Sequence, residues 1–222
     1  MATSKPETRV EDTTNQKKKY SLVIKISGGA IFSAISLVIS LLTTEFLPRF
    51  AWGLAWFDPV SVIWILSFFV FGYEAGILTS VIGMFLLFPF DPFAPFGPIF
   101  KFTATIPLII VPYIIEKIRK HPINNTTSLK TKYLAFNWIF SVIIRLVLMV
   151  PLNVIAMLTI YSDFQLWNTH TLAFLWLDSI DGWTAIVITV IFANVLQSIF
   201  DYVIPSAIIK PIQLGIPHLI QW

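Results

Sequence analysis

Long apolar runs alternate with short polar or proline-rich breaks along this chain, and the runs predict six helices. The first extends from about Tyr20 to Leu47 and stops at Pro48. The second covers Pro59 to Phe71, and the third follows a turn at Gly72–Gly76 and ends near Phe88. Both are shorter than the roughly 20 residues that a perpendicular span needs, so they are read as tilted or as crossing a thin part of the protein. Residues 88–98, FPFDPFAPFGP, carry proline at 89, 92, 95 and 98 and are read as a stiff extended loop. The fourth helix is expected from Ile99 to Ile115, the fifth from Phe136 to Tyr161, and the sixth from Trp183 to Ile204, where Pro205 ends it.

Composition fixes the environment of these helices. Hydrophobic residues make up 56% of the 222 positions and charged ones 12%, and the mean hydropathy is +0.79. An ordinary soluble domain is excluded; the fold class is an all-α integral membrane protein with six transmembrane helices. Lys17, Lys18, Lys19 and Lys25 open the first run, and Lys117, Arg119, Lys120, Lys130 and Lys132 fill the break between the fourth and fifth. The positive-inside rule puts those segments, and with six spans both termini, in the cytoplasm. Residues 162–182 contain Asp163, Asp178 and Asp181 without lysine or arginine, as suits an outer loop. Residues 1–16 read as a disordered cytoplasmic tail, 17–210 as the membrane domain, and 211–222 as a short cytoplasmic tail. With no cysteine, scattered histidines and no Gly-rich phosphate loop, no metal, cofactor, nucleotide or nucleic-acid partner is expected.

The polar residues inside apolar runs carry the functional signal. Arg145, Met149, Asn153 and Ala156 share one face of the fifth helix. An arginine facing lipid at that depth costs roughly 2.5 kcal/mol or more, so this face looks into a bundle. Asn194, Gln197 and Asp201 share a face of the sixth helix. At 1.5 Å per residue, Asn153 and Asn194 lie roughly 10 and 16 Å from the outer ends of their helices. Such amides either bond each other or line a pocket open to the outside. Arg145 and Asp201 lie deeper and are grouped as structural polar residues: Asp201 is read as pairing with a basic residue near the inner surface, and Arg145 either braces the bundle, against a carboxylate such as Asp201, or touches solute. Trp52 and Trp56 form either an interfacial belt or an aromatic flap over a flat ligand. Lys101, in a first turn that the helix dipole does not favour for a cation, either snorkels or contacts a ligand. Ser27, Ala30 and Ala34, with Gly29 and Ser33, give the first helix small residues at three- and four-residue spacing. They permit close approach of a helix from the same bundle or from a partner.

With these features in place, the chain resembles the substrate-binding S components of energy-coupling-factor (ECF) vitamin transporters. Ala30-Ile31-Phe32-Ser33-Ala34 is similar to that family's AxxxA pattern, and the aromatic segments after helices 1 and 3 correspond to its outer lid. Arg145 followed by Asn153, and Asn194-Val-Leu-Gln197, resemble the helix 5 and helix 6 patterns of riboflavin-type members, with Gln197 where those carry lysine. The resemblance implies a plasma-membrane capture subunit for a vitamin, riboflavin first. Substrate contacts would come from Asn153, Asn194, Gln197, Trp52, Trp56, Lys101 and Met149. Ser27, Ala30 and Ala34 would dock on a transmembrane coupling subunit driven by two ATPase subunits. The chain itself would be non-catalytic. The alternatives are a cell-envelope scaffold and a small membrane enzyme. The enzyme is disfavoured because Glu45, Asp58, Asp178 and Asp181 have no histidine at useful spacing.

Overall fold

The computed structural model describes residues 6–44, 46–47, 57–119, 131–159, 180 and 182–215. Side chains are described from Leu22 to Ile212 within those ranges, Thr131 excepted. Trp52 and Trp56, residues 120–130 and residues 160–179 lie outside the described residues. The described elements are six helices: α1 (Pro6–Thr43), α2 (Pro59–Phe71), α3 (Tyr73–Leu87), α4 (Phe96–Arg119), α5 (Thr131–Thr159) and α6 (Gly182–Gly215). Four stretches are long and apolar enough to cross a membrane, namely Leu22–Thr43 of α1, Phe96–Arg119, Lys132–Thr159 and Gly182–Ile212. The chain is therefore a multi-pass membrane protein. α2 and α3, with 13 and 15 residues, are shorter apolar helices.

The helix ends depart from the sequence expectation in ways that proline explains. α1 begins at Pro6, so residues 6–16, expected to be disordered, are helical. Proline suits a first helical position, where its missing N–H has no intrahelical role, and residues 7–27 contain neither glycine nor proline. α4 begins at Phe96 and accommodates Pro98 in its first turn for the same reason. α6 does not stop at Pro205 but continues to Gly215 with Pro205 and Pro211 inside it. Buried Pro205 and Ile209 hold that stretch against the bundle. Transmembrane helices tolerate a lost backbone bond when neighbours meet the freed group.

Gly72 alone connects α2 to α3. At φ 90° it adopts a conformation that L side chains rarely take, while its N–H closes the end of α2 on the Phe68 carbonyl at 2.9 Å. α3 therefore starts at Tyr73, inside the segment expected as a turn. The tight connection lays α3 against α2, and α2 becomes the central element, touching α1, α3, α4 and α6. Its Ile65, Phe68 and Phe69 pack with Leu108 and Ile109 of α4 and Tyr202 and Ile209 of α6. Its Val60 and Trp64 pack with Leu87 of α3. α1 lies against α2 and α3, and α5 against α4 and α6.

α1 carries two small-residue faces. Gly28, Gly29, Ser33, Ser36 and Ser40 are buried. Ser33 Oγ reaches the Thr79 carbonyl at 3.1 Å, and Trp64 Nε1 donates to Ser36 Oγ at 3.0 Å. Ser27, Ala30 and Ala34 are exposed, on the face turned away from the bundle.

Candidate functional site

Three elements meet around Arg145. α5 presents it to α6, where Nε donates to Asn194 Oδ1 at 2.9 Å and Nη1 to Asp201 Oδ2 at 2.8 Å. Both ions are buried, Arg145 at 4% exposure and Asp201 at 0%. A charge removed from water in this way is tolerable only when opposite charge and hydrogen bonds surround it. Asp201 meets that condition on its other oxygen as well. Oδ1 accepts from Ser61 Oγ at 2.6 Å and Gln197 Nε2 at 2.8 Å. The spacing of Asn194 and Asp201 on one face of α6 is what lets a single guanidinium span both.

Gln197 ties this pair to the start of α2. Its Oε1 accepts from the Asp58 backbone N–H at 2.7 Å, and its Nε2 reaches the Asp58 carbonyl at 2.8 Å. The amide orientation follows, since the Asp58 N–H must face an oxygen. Nε2 also lies 2.9 Å from Ser61 Oγ, so the two amide hydrogens are shared among three nearby acceptors. Gln197, expected as a substrate contact, is fully engaged with the protein.

Asp58 is the hub that the sequence reading missed. Its Oδ1 caps α2 by accepting from Val60 N–H at 3.0 Å, which helps to fix where the helix begins. Its Oδ2 lies 3.2 Å from Lys101 Nζ. The same ammonium is 3.2 Å from Asp91 Oδ2, and Asp91 Oδ1 accepts from Phe93 N–H at 2.9 Å. Lys101 thus neither snorkels nor points freely outward; it joins α2, α4 and the α3–α4 connection. Aspartate before proline at 58–59 is a helix-start signal that was available in the sequence. Asp91-Pro92 repeats the same pair, and Asp91 Oδ1 likewise accepts from the N–H two residues on; nothing comparable marked Ser61.

Asn153 differs from the others. It is buried, and its Nδ2 donates to the Met149 carbonyl one turn below at 2.8 Å. No hydrogen bond to its Oδ1 is made among the described residues, although the fully buried side-chain atom left without a partner there is Asn137 Oδ1. Asn194 makes the same local bond, from Nδ2 to the Val190 carbonyl at 2.9 Å, but its oxygen is taken by Arg145. The two asparagines make no bond to each other among the described residues. Met149 is buried beside Asn153 on the inward face of α5.

The sequence matches no family model, and no curated protein matches it. A solved structure of the S component of a bacterial ECF transporter superposes on the chain with a TM-score of 0.55. It covers 89% of this chain and 98% of that one, at 19% identity. The chain has the fold of an S component. Within that fold, α2 and α6 hold Asp58, Ser61, Gln197 and Asp201 together, while α5 adds Arg145 to the same cluster and carries Asn153 two turns further along.

Proposed function

We propose that the chain is the substrate-capture subunit of an ECF-type uptake system, taking a vitamin from outside the cell, with riboflavin the first ligand to try. The observation that carries this reading is the S-component fold, matched along 98% of the solved chain. The Asn153 side chain adds to it, because its amide oxygen is left free by the protein and can accept a hydrogen bond from a bound molecule. In this reading Asn153, Asn194 and Met149 line the substrate, and Trp52 and Trp56 cover its flat face. Lys101 and Gln197 act mainly by holding Asp58, and Arg145 with Asp201 braces the wall. Six spans with both termini in the cytoplasm put the pocket on the outer side of the plasma membrane. The exposed Ser27–Ala30–Ala34 face then docks on a transmembrane coupling subunit driven by two ATPase subunits. The chain itself is not catalytic.

Titration of the detergent-solubilised protein into riboflavin, followed by flavin fluorescence, tests the reading. Saturable quenching is expected, and Asn153→Ala should weaken binding by about tenfold or more, the effect of losing one buried hydrogen bond. No quenching by riboflavin removes the flavin assignment. No thermal stabilisation by any of a panel of vitamins removes the capture role itself and leaves a membrane scaffold.

A further inference from the structure

Where α4 ends and α5 begins, the bundle presents cations that the network around Asp58 and Arg145 does not use. Lys117 and Arg119 lie in the last turn of α4, and Lys132 lies at the start of α5. All three are exposed, and none forms an ion pair with a carboxylate among the described residues. Arg119 is nonetheless held in place. Its guanidinium carbon sits 4.2 Å from the centre of the Phe136 ring and 5.9 Å from that of Tyr133. Stacking engages the face of the guanidinium and leaves its N–H edge available for an oxyanion.

The surface beneath this rim is apolar and continuous with it. Lys132, Phe136 and Phe140 follow one another at four-residue steps along one stripe of α5, and the Phe136 and Phe140 rings lie 4.6 Å apart. Both rings are exposed, as are Ile139 and Ile143 on α5 and Ile114 and Ile118 on α4. The arrangement is amphiphilic: a stacked arginine without a carboxylate partner among the described residues, and Lys132 one turn before Phe136, stand at the end of an exposed aromatic stripe, while Lys117 lies over the Tyr113 ring at 5.9 Å. A free anion would leave the stripe unused, and a zwitterionic lipid would leave the cations uncompensated.

We propose that the seam between α4 and α5 binds an anionic phospholipid. Its phosphate sits against Arg119 and Lys132, and an acyl chain runs along Phe136 and Phe140. The proposal stands apart from the transport reading, because it uses none of the residues assigned to substrate or partner.

Native mass spectrometry of the full chain tests it, with phosphatidylglycerol and phosphatidylcholine of identical acyl chains added to the detergent-purified protein. Phosphatidylglycerol should be retained preferentially, and the preference should shrink as NaCl is raised. The double variant Arg119→Gln/Lys132→Gln should lose about fivefold in phosphatidylglycerol affinity for each charge removed, with phosphatidylcholine retention unchanged. The charge-conserving Arg119→Lys/Lys132→Arg variant should keep most of the preference, which guards against a folding defect. Equal retention of the two lipids, or a double variant that binds phosphatidylglycerol like the parent, overturns the proposal. Stabilisation by inorganic phosphate matching that by phosphatidylglycerol overturns it in favour of a free-anion site.

Discussion

A guanidinium in the middle of an apolar helix is tolerable only when its charge and its N–H groups are both met, and Arg145 meets both on α6. Removing one member leaves the other as an uncompensated buried charge. Arg145→Ala should therefore cost about 3–5 kcal/mol of stability, whereas replacing both ions by apolar residues, as in Arg145→Met/Asp201→Leu, should restore most of it. Thermal unfolding in detergent reads both; an Arg145→Ala protein as stable as the parent would remove the bracing role. Gln197 invites a smaller test. Gln197→Ala leaves the Asp58 N–H and carbonyl without their amide partner and removes one donor from Asp201, and should cost about 1–3 kcal/mol in the same assay. The polar positions on α5 and α6 were legible, because a polar side chain in an apolar run has only one comfortable direction. Their partners were not. Ser61 and Asp58 lie 136 to 140 residues away in sequence from the α6 groups they meet, and spacing along one helix gives a face, not the neighbour across from it.

At the scale of the element, α1 shows what a small-residue pattern does and does not say. The sequence marks Ser27, Gly29, Ala30, Ser33 and Ala34 alike as permitting close approach. The fold divides them into an inner face, packed on α2 and α3, and an exposed outer one. A Cβ at Gly28 would come within 2.5 Å of the Phe71 ring. Gly28→Leu should therefore lower the melting temperature through overpacking, by an amount equivalent to about 1–3 kcal/mol. Ala30→Leu/Ala34→Leu should leave melting temperature and ligand affinity intact while abolishing co-purification with the proposed coupling subunit. Retained co-purification with lost ligand binding would show that the outer face serves the pocket and not a partner. Helix existence was readable from hydropathy throughout; helix ends were not. The helical stretch from Pro6 depends on backbone bonding, and the continuation past Pro205 on packing as well; hydropathy is blind to both.

The whole molecule is organised through α2. Toward one side Trp64 bonds Ser36 of α1 and Ser67 bonds Thr79 of α3; toward the other Asp58 and Ser61 bond α4 and α6. Lys101 closes this arrangement at one end by holding Asp58 and Asp91 together. Lys101→Met would leave two carboxylates near each other without their cation. Both carboxylates also accept backbone N–H bonds, and the lysine is 14% exposed, so the loss should lie near the lower end for a broken buried pair, about 3 kcal/mol. Adding Asp58→Asn and Asp91→Asn should recover part of that loss. Ligand linkage then separates a strut from a contact. A ligand at a hundredfold excess over Kd stabilises the folded state by about 2.7 kcal/mol. If Lys101 is a strut, the weakened Lys101→Met protein should regain nearly that full increment when the vitamin is added. If Lys101 instead touches the substrate, the unliganded stability should change little and the ligand-induced increment should collapse.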